Sequence, residues 1–216
     1  MTSPESLADL PGARPVSARE TVHHGMVFDI VRDTVEFAPG VRFDREYMRH
    51  PGAVAVLAVD DHDRILLIRQ YRHPVGHTMW EIPAGLLDVD GEPPQRGALR
   101  ELAEETGHRA EALSTLVDLR PSPGGSDEVI RIYLATGAVP LRAEEVDFER
   151  TDEEAEIETR WVPLADAVAG VLEGRLTNAT TVVGVLALQA QRSARDAEAL
   201  RPADAPFVAR PGRDLS

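Results

Sequence analysis

Apolar residues along this chain fall into short runs whose spacing changes from strand-like to helical. Val22 to Phe37 and Val41 to Met48 carry strand-like patterns on either side of Ala38-Pro39-Gly40, a turn signal, which predicts an antiparallel pair ahead of the main fold. Ala53 to Val59 and Arg64 to Arg69 are apolar runs flanking Asp60-Asp61-His62-Asp63, the pattern of a hairpin entering a buried sheet. Pro93 to Thr106 then switches to helical spacing. A proline suits the first turn, Ala98, Leu99, Leu102 and Ala103 make an apolar stripe, and Gly107 is placed to end the helix. Further strands are predicted at Leu113 to Leu119, Val129 to Ala135 and Ala155 to Val162. In the last, Ala155, Ile157, Thr159 and Trp161 share one face and Glu156, Glu158 and Arg160 the other. Helices over Leu164 to Leu172 and Asn178 to Arg192 follow.

Strands in the middle and helices at the close predict a mixed α+β sandwich. Residues 1–16 read as a flexible tail, 17–48 as an N-terminal β element, 49–195 as the main domain and 196–216 as a second tail, rich in Pro, Arg and Asp from Arg201 onward. A length of 216 residues suits one well-buried domain with appended segments, and hence one active site per chain.

Composition narrows the partners. A formal charge of −14 argues against nucleic acid, whose phosphates bind basic patches, and leaves small anionic substrates only if cations mediate. With no cysteine, neither a disulfide framework nor thiolate-bound zinc is available, and a reducing cytoplasm is the expected setting. The first residues lack the apolar core of a signal peptide, and the apolar runs near Ala53 to Val59 and Val182 to Leu188 are too short to span a bilayer, so no membrane role is expected.

The candidate chemistry sits on the helix before Gly107. Glu101, Glu104 and Glu105 stand at i, i+3 and i+4, which predicts three carboxylates on one face opposite the apolar stripe. Such a cluster is either a solvated acidic face, partly relieved by Arg100 pairing with Glu104, or an oxygen-rich site for Mg²⁺ or Mn²⁺.

The residues ahead of the helix decide in favour of the metal. The run Gly85-Leu-Leu-Asp-Val-Asp-Gly-Glu92 leads into Arg100-Glu101-Leu102-Ala103-Glu104-Glu105-Thr106-Gly107, and together they resemble the Nudix box. Two departures stand out: six residues separate Gly85 from Glu92 where the pattern has five, and His108 holds a usually apolar place. The extra residue falls in a loop, where insertions are tolerated best. Arg69-Gln70-Tyr71-Arg72, the segment Ser122 to Glu128 and Asn178-Ala179 are similar to the ADP-ribose pyrophosphatase branch of that family, in which a proline stands where Pro123 does.

What the resemblance implies is an α/β/α sandwich with a mixed sheet and metal-dependent hydrolysis of ADP-ribose to AMP and ribose 5-phosphate. Glu101, Glu105, the Ala84 carbonyl and Glu104 would be metal ligands. Arg72 would meet the diphosphate and Glu128 would lie near the terminal ribose, with Trp80 and Glu81 as further substrate contacts. A loop glutamate, Glu154 or Glu153, would act as general base, with Glu104 and Arg100 also in catalytic roles. The N-terminal strands would form a homodimer. The alternatives are another substrate of the same kind (a nucleotide sugar, a dinucleotide or flavin adenine dinucleotide) and a sensor that binds ADP-ribose without cleaving it.

Overall fold

The computed structural model describes residues 7–142, 157–194 and 199–207. Strands β1 (Val16–His24), β2 (Asp29–Ala38) and β3 (Val41–Arg49) form a three-stranded antiparallel sheet in that order. Where the pattern predicts strand from Val22 to Phe37, the structure breaks it into two. The chain reverses at Gly25, whose N–H donates to the Phe28 carbonyl at 3.1 Å, and β1 then pairs back along β2. A Cβ at residue 25 would stand 2.3 Å from that carbonyl oxygen, so the reversal demands glycine. The turn at Ala38-Pro39-Gly40 joins β2 to β3 as its residues predict.

Opposed charges lace this sheet together. Arg19 forks onto Asp33 with both contacts at 2.6 Å, and Arg32 bridges Glu20 and Glu46 across the neighbouring strands. Asp33 is buried, and the Arg19 fork, assisted by the Tyr47 hydroxyl at 3.1 Å, holds its carboxyl below the usual range. The described residues up to His50, with Gly124–Ser126, form one compact unit; Pro51–Pro123 and the described residues from Asp127 onward form another.

The second unit holds the larger core. In chain order it contains β4 (Ala53–Val59), β5 (Arg64–Arg72), β6 (His77–Glu81), β7 (Ala84–Leu86), α1 (Pro94–Thr106), β8 (His108–Arg109) and β9 (Ala112–Leu119). Then come β10 (Ile130–Thr136), β11 (Val139–Pro140), β12 (Glu158–Pro163), α2 (Leu164–Leu172), α3 (Ala179–Ser193) and β13 (Arg201–Pro202). Its main sheet runs β12-β5-β4-β10-β9-β13, with β6 beside β5 and β7 beside β4, while β8 and β11 pair separately. The sheet is mixed: β4 and β10 are parallel from Ala53–Ile130 to Val59–Thr136, and the other neighbours are antiparallel.

Why β4 is a continuous apolar run follows from its place. Ala53, Ala55, Leu57 and Val59 enter one core cluster with Leu164, Ala167, Val185 and Leu188 of α2 and α3. Val54, Val56 and Ala58 enter a second with Ala98 and Leu102 of α1. A strand covered on both faces needs apolar side chains at every position. Helices on both faces of a mixed sheet make the expected α+β sandwich.

The C-terminal tail requires a correction. Arg201–Pro202 extends the sheet beside β9, and Phe207 is buried in the second cluster. Arg131, only 1% exposed, is the reason. It forks onto Asp118 at 2.7 and 3.0 Å, and two further donors reach the carbonyls of Ala205 (2.6 Å) and Pro206 (2.9 Å), with its guanidinium 4.3 Å from the Phe207 ring centroid. A buried guanidinium must find acceptors for its donors, and backbone carbonyls supply them whatever the side chains of the segment. That is why a Pro- and Arg-rich composition misreads as solvated. No described helix is long and apolar enough to cross a membrane.

Candidate active site

Helix α1 begins with Pro94 and ends at Gly107, which adopts a left-handed conformation and donates to the Ala103 carbonyl. Its acidic residues do not share one exposed face, contrary to expectation. Glu105 is 6% exposed and continues the buried stripe Ala98-Leu102, because steps of four and three residues return to the same side of a helix. There its Oε2 accepts from the Ala84 N–H at 2.9 Å, which ties the helix to β7.

Glu101 lies over Gly85. A Cβ at residue 85 would fall 2.0 Å from the Glu101 carboxyl carbon and Oε1, so the box glycine makes room for the carboxylate. Arg100 gathers the remaining acids. One nitrogen bridges Glu101 (2.7 Å) and Glu104 (2.8 Å), and its other edge forks onto Glu92, 3.1 Å on each arm. These contacts, that with Glu92 foremost, raise the guanidinium pKa far above its ordinary value. The extra residue before Glu92 is absorbed in the turn where the Glu92 N–H meets the Val89 carbonyl, and Glu92 still reaches the helix. His108 fits its unusual place by donating from Nδ1 to the Thr106 carbonyl (2.9 Å) and setting its ring edge-on to Trp161 at 5.7 Å.

A cleft of about 330 Å³, within the size range of small-molecule sites, is lined by Arg72, Ala84, Gly85, Arg100, Glu101 and Glu105, among others. It brings five of the expected site residues together. Arg72, at the end of β5, is anchored by Glu81 of β6, with contacts of 3.0 and 2.8 Å, and the Glu81 carboxylate is almost wholly buried. Glu81 therefore acts on Arg72 and does not itself line the cleft. Glu104 also stands off the lining, and Glu128 is half-buried outside it. Trp80 points to the opposite face of β6, packed on the first core cluster between the guanidinium groups of Arg69 (5.5 Å) and Arg160 (4.7 Å). Glu153 and Glu154 lie outside the described residues.

Two contributors escaped the sequence reading. Gln70 lines the cleft, and its signal was present in the strand period, which puts Gln70 and Arg72 on one face. Thr181 carried no such signal. It is wholly buried at the start of α3, where its hydroxyl accepts from the Ile82 N–H (3.0 Å) and donates to the capping Asn178 side chain (3.1 Å). Asn178 also accepts from the Thr181 N–H at 2.9 Å, so the end of one helix fixes the backbone just before Ala84.

Among the described residues no three His, Asp or Glu side chains are gathered as a metal cage. One nitrogen of Arg100 stands between two of the acids, 2.7 Å from Glu101 and 2.8 Å from Glu104. The donor chemistry nevertheless fits a hard divalent ion: carboxylates from Glu101 and Glu105 line the same cleft as Ala84, and Gly85 leaves space beside Glu101 that any other residue would fill.

The sequence model of the NUDIX domain family matches residues 48–181. The ADP-ribose pyrophosphatase of Mycobacterium tuberculosis is 43% identical over 192 residues, 89% of this chain and 90% of that protein. The ADP-ribose pyrophosphatase of Bacillus subtilis is 38% identical over 172 residues, covering 80% and 90%. The crystal structure of an ADP compounds hydrolase matches with a TM-score of 0.67 at 26% identity, covering 85% of this chain and 96% of that one.

Proposed function

The chain belongs to the NUDIX domain family, and on that premise we propose that it hydrolyses the diphosphate bond of ADP-ribose to AMP and ribose 5-phosphate, using Mg²⁺. The observation that carries the reading is the pairing, in one cleft, of acids on the box helix with a fixed arginine on β5. Two relatives covered over most of their length are ADP-ribose pyrophosphatases, which supports that substrate over a nucleotide sugar or dinucleotide.

Glu101 and Glu105, with Ala84 and Glu104, would hold the divalent ion, which when bound neutralises phosphate oxygens and acidifies a coordinated water. Glu105 stays aligned through the Ala84 N–H, and Glu101 through the space above Gly85. Arg100 balances the acids until the ion arrives. Arg72, oriented by Glu81, puts positive charge on the cleft wall for the anionic diphosphate. Glu153 or Glu154 takes the proton of the attacking water, and Glu128 stands on the terminal-ribose side. General-base assistance is worth about 10²–10⁴-fold, so exchanging the right loop glutamate for Gln lowers kcat by that much. Unchanged kcat in both single variants and the double variant removes the role from this loop.

The protein acts in the cytoplasm as a homodimer through its N-terminal sheet. Met26, Val27 and Phe28, exposed on that unit, support the pairing, and two-fold dimers are the commonest assembly. The direct test incubates the protein with ADP-ribose and Mg²⁺, with and without chelator, beside nucleotide sugars and dinucleotides, and identifies products by chromatography. AMP from ADP-ribose ahead of the others, abolished by chelator, is the expected result. Preferential cleavage of another compound overturns the substrate, and cleavage of none overturns hydrolysis in favour of binding alone.

A further inference from the structure

Gln70 stands two residues before Arg72 on β5, and both side chains line the cleft. The residue is half-buried, yet its Oε1 is fully buried and has no hydrogen-bond partner among the described residues. Of the two such atoms among the described residues, the Tyr133 hydroxyl belongs to the second core cluster, and only Gln70 adjoins the cleft. A buried acceptor without a donor costs free energy that an apolar side chain of the same size would not. A fold selected for stability alone has no use for it at this position.

We propose that Gln70 is a substrate-binding residue whose amide oxygen accepts a hydrogen bond from a sugar hydroxyl next to the diphosphate. The charged groups around it recognise any diphosphate alike. A neutral acceptor instead reads a hydroxyl donor, which ionised phosphate oxygens do not offer, so Gln70 favours diphosphates that carry a sugar. The terminal torsion of a glutamine amide is broad, so the group can turn toward an entering hydroxyl without movement of β5. This inference rests on the hydrolysis proposed above and deepens it.

The test compares wild type with Gln70→Met, close in size and without the amide. Thermal melting is followed without nucleotide, and kcat and KM are measured with ADP-ribose at saturating Mg²⁺. The expected result is a melting temperature equal to or above wild type, with KM raised about five- to tenfold and kcat within about twofold, the loss of one neutral hydrogen bond made equally in ground and transition states. A lowered melting temperature with unchanged KM assigns Gln70 to the fold and overturns the proposal. Failure of wild type to cleave ADP-ribose sinks the substrate assignment alone. The same comparison of KM is then made on whichever compound of the panel wild type does cleave, or of binding by titration calorimetry with ADP-ribose if it cleaves none.

Discussion

Two arginines of the larger unit, Arg100 and Arg131, are each knotted to carboxylates, and they are knotted to opposite ends. Arg131 is 1% exposed and serves a single carboxylate, Asp118, which Arg201 also reaches at 2.9 Å; the knot carries no surplus of negative charge. Two further donors end on the backbone carbonyls of Ala205 and Pro206. Arg100 is half-exposed, borders the cleft, and gathers three carboxylates, Glu92, Glu101 and Glu104, around one guanidinium. A closed, balanced knot fastens a chain segment. An open, acid-rich one beside a cleft is a place where a divalent ion improves the energy.

Exchange at Glu105 breaks the open knot most severely. Glu105→Gln removes a ligand carboxylate and its charge, and kcat falls by more than the roughly 10²–10⁴-fold of a general base. Steady-state rates across a Mg²⁺ titration check this, and full activity at limiting Mg²⁺ would end the metal assignment. Arg131→Met opens the closed knot instead. It leaves buried carbonyls and Asp118 under-satisfied and costs about 3 kcal/mol of stability by urea denaturation, with kcat unchanged in the folded protein. A large loss of kcat without loss of stability would erase the distinction between the two arginines.

Glu92→Gln sharpens the contrast. Released from its fork, Arg100 binds Glu101 and Glu104 more tightly and competes with the ion, so half-saturating Mg²⁺ rises about tenfold while kcat at saturation stays near wild type. The smallest effect concerns acid. Burial pushes the Asp118 pKa up, but hydrogen bonds from Arg131 and Arg201 outweigh it and leave the folded value depressed. Its contribution is therefore complete above the unfolded value of about 3.9 and drains away as pH falls through the lower, folded one. The melting-temperature gap between wild type and Asp118→Asn should accordingly begin to narrow below about pH 4 and close once pH has fallen through the folded value, and a gap that stays constant down that range assigns the stabilisation to something other than the Asp118 charge.

The open knot was legible in the sequence and the closed one was not. Glu101, Glu104, Glu105 and Gly85 fall within one contiguous motif, and β4, β9, β10 and α1 declare themselves by apolar period. The burial of Glu105 was missed because three acids in a row of helical turns read as polar, although the stripe through Ala98 and Leu102 runs straight to it. Arg131 meets Asp118 across 13 residues but Ala205, Pro206 and Phe207 across more than 70, and no local pattern links a lone arginine in an apolar strand to those distant carbonyls. The break at Gly25 was missed for a different reason: one glycine without a neighbouring proline or asparagine is a weak turn signal, and its necessity appears only when the Phe28 carbonyl closes over it.

The hydroxyl of Thr181 ties Ile82 to the head of α3 across 99 positions of sequence. Contacts so distant pay the entropy of closing a long loop and form late in folding. The backbone that carries Ala84 is therefore among the last parts to settle after dilution from denaturant. Turnover should return more slowly than helical circular dichroism, and the appearance of activity marks the moment at which the chain has finished folding.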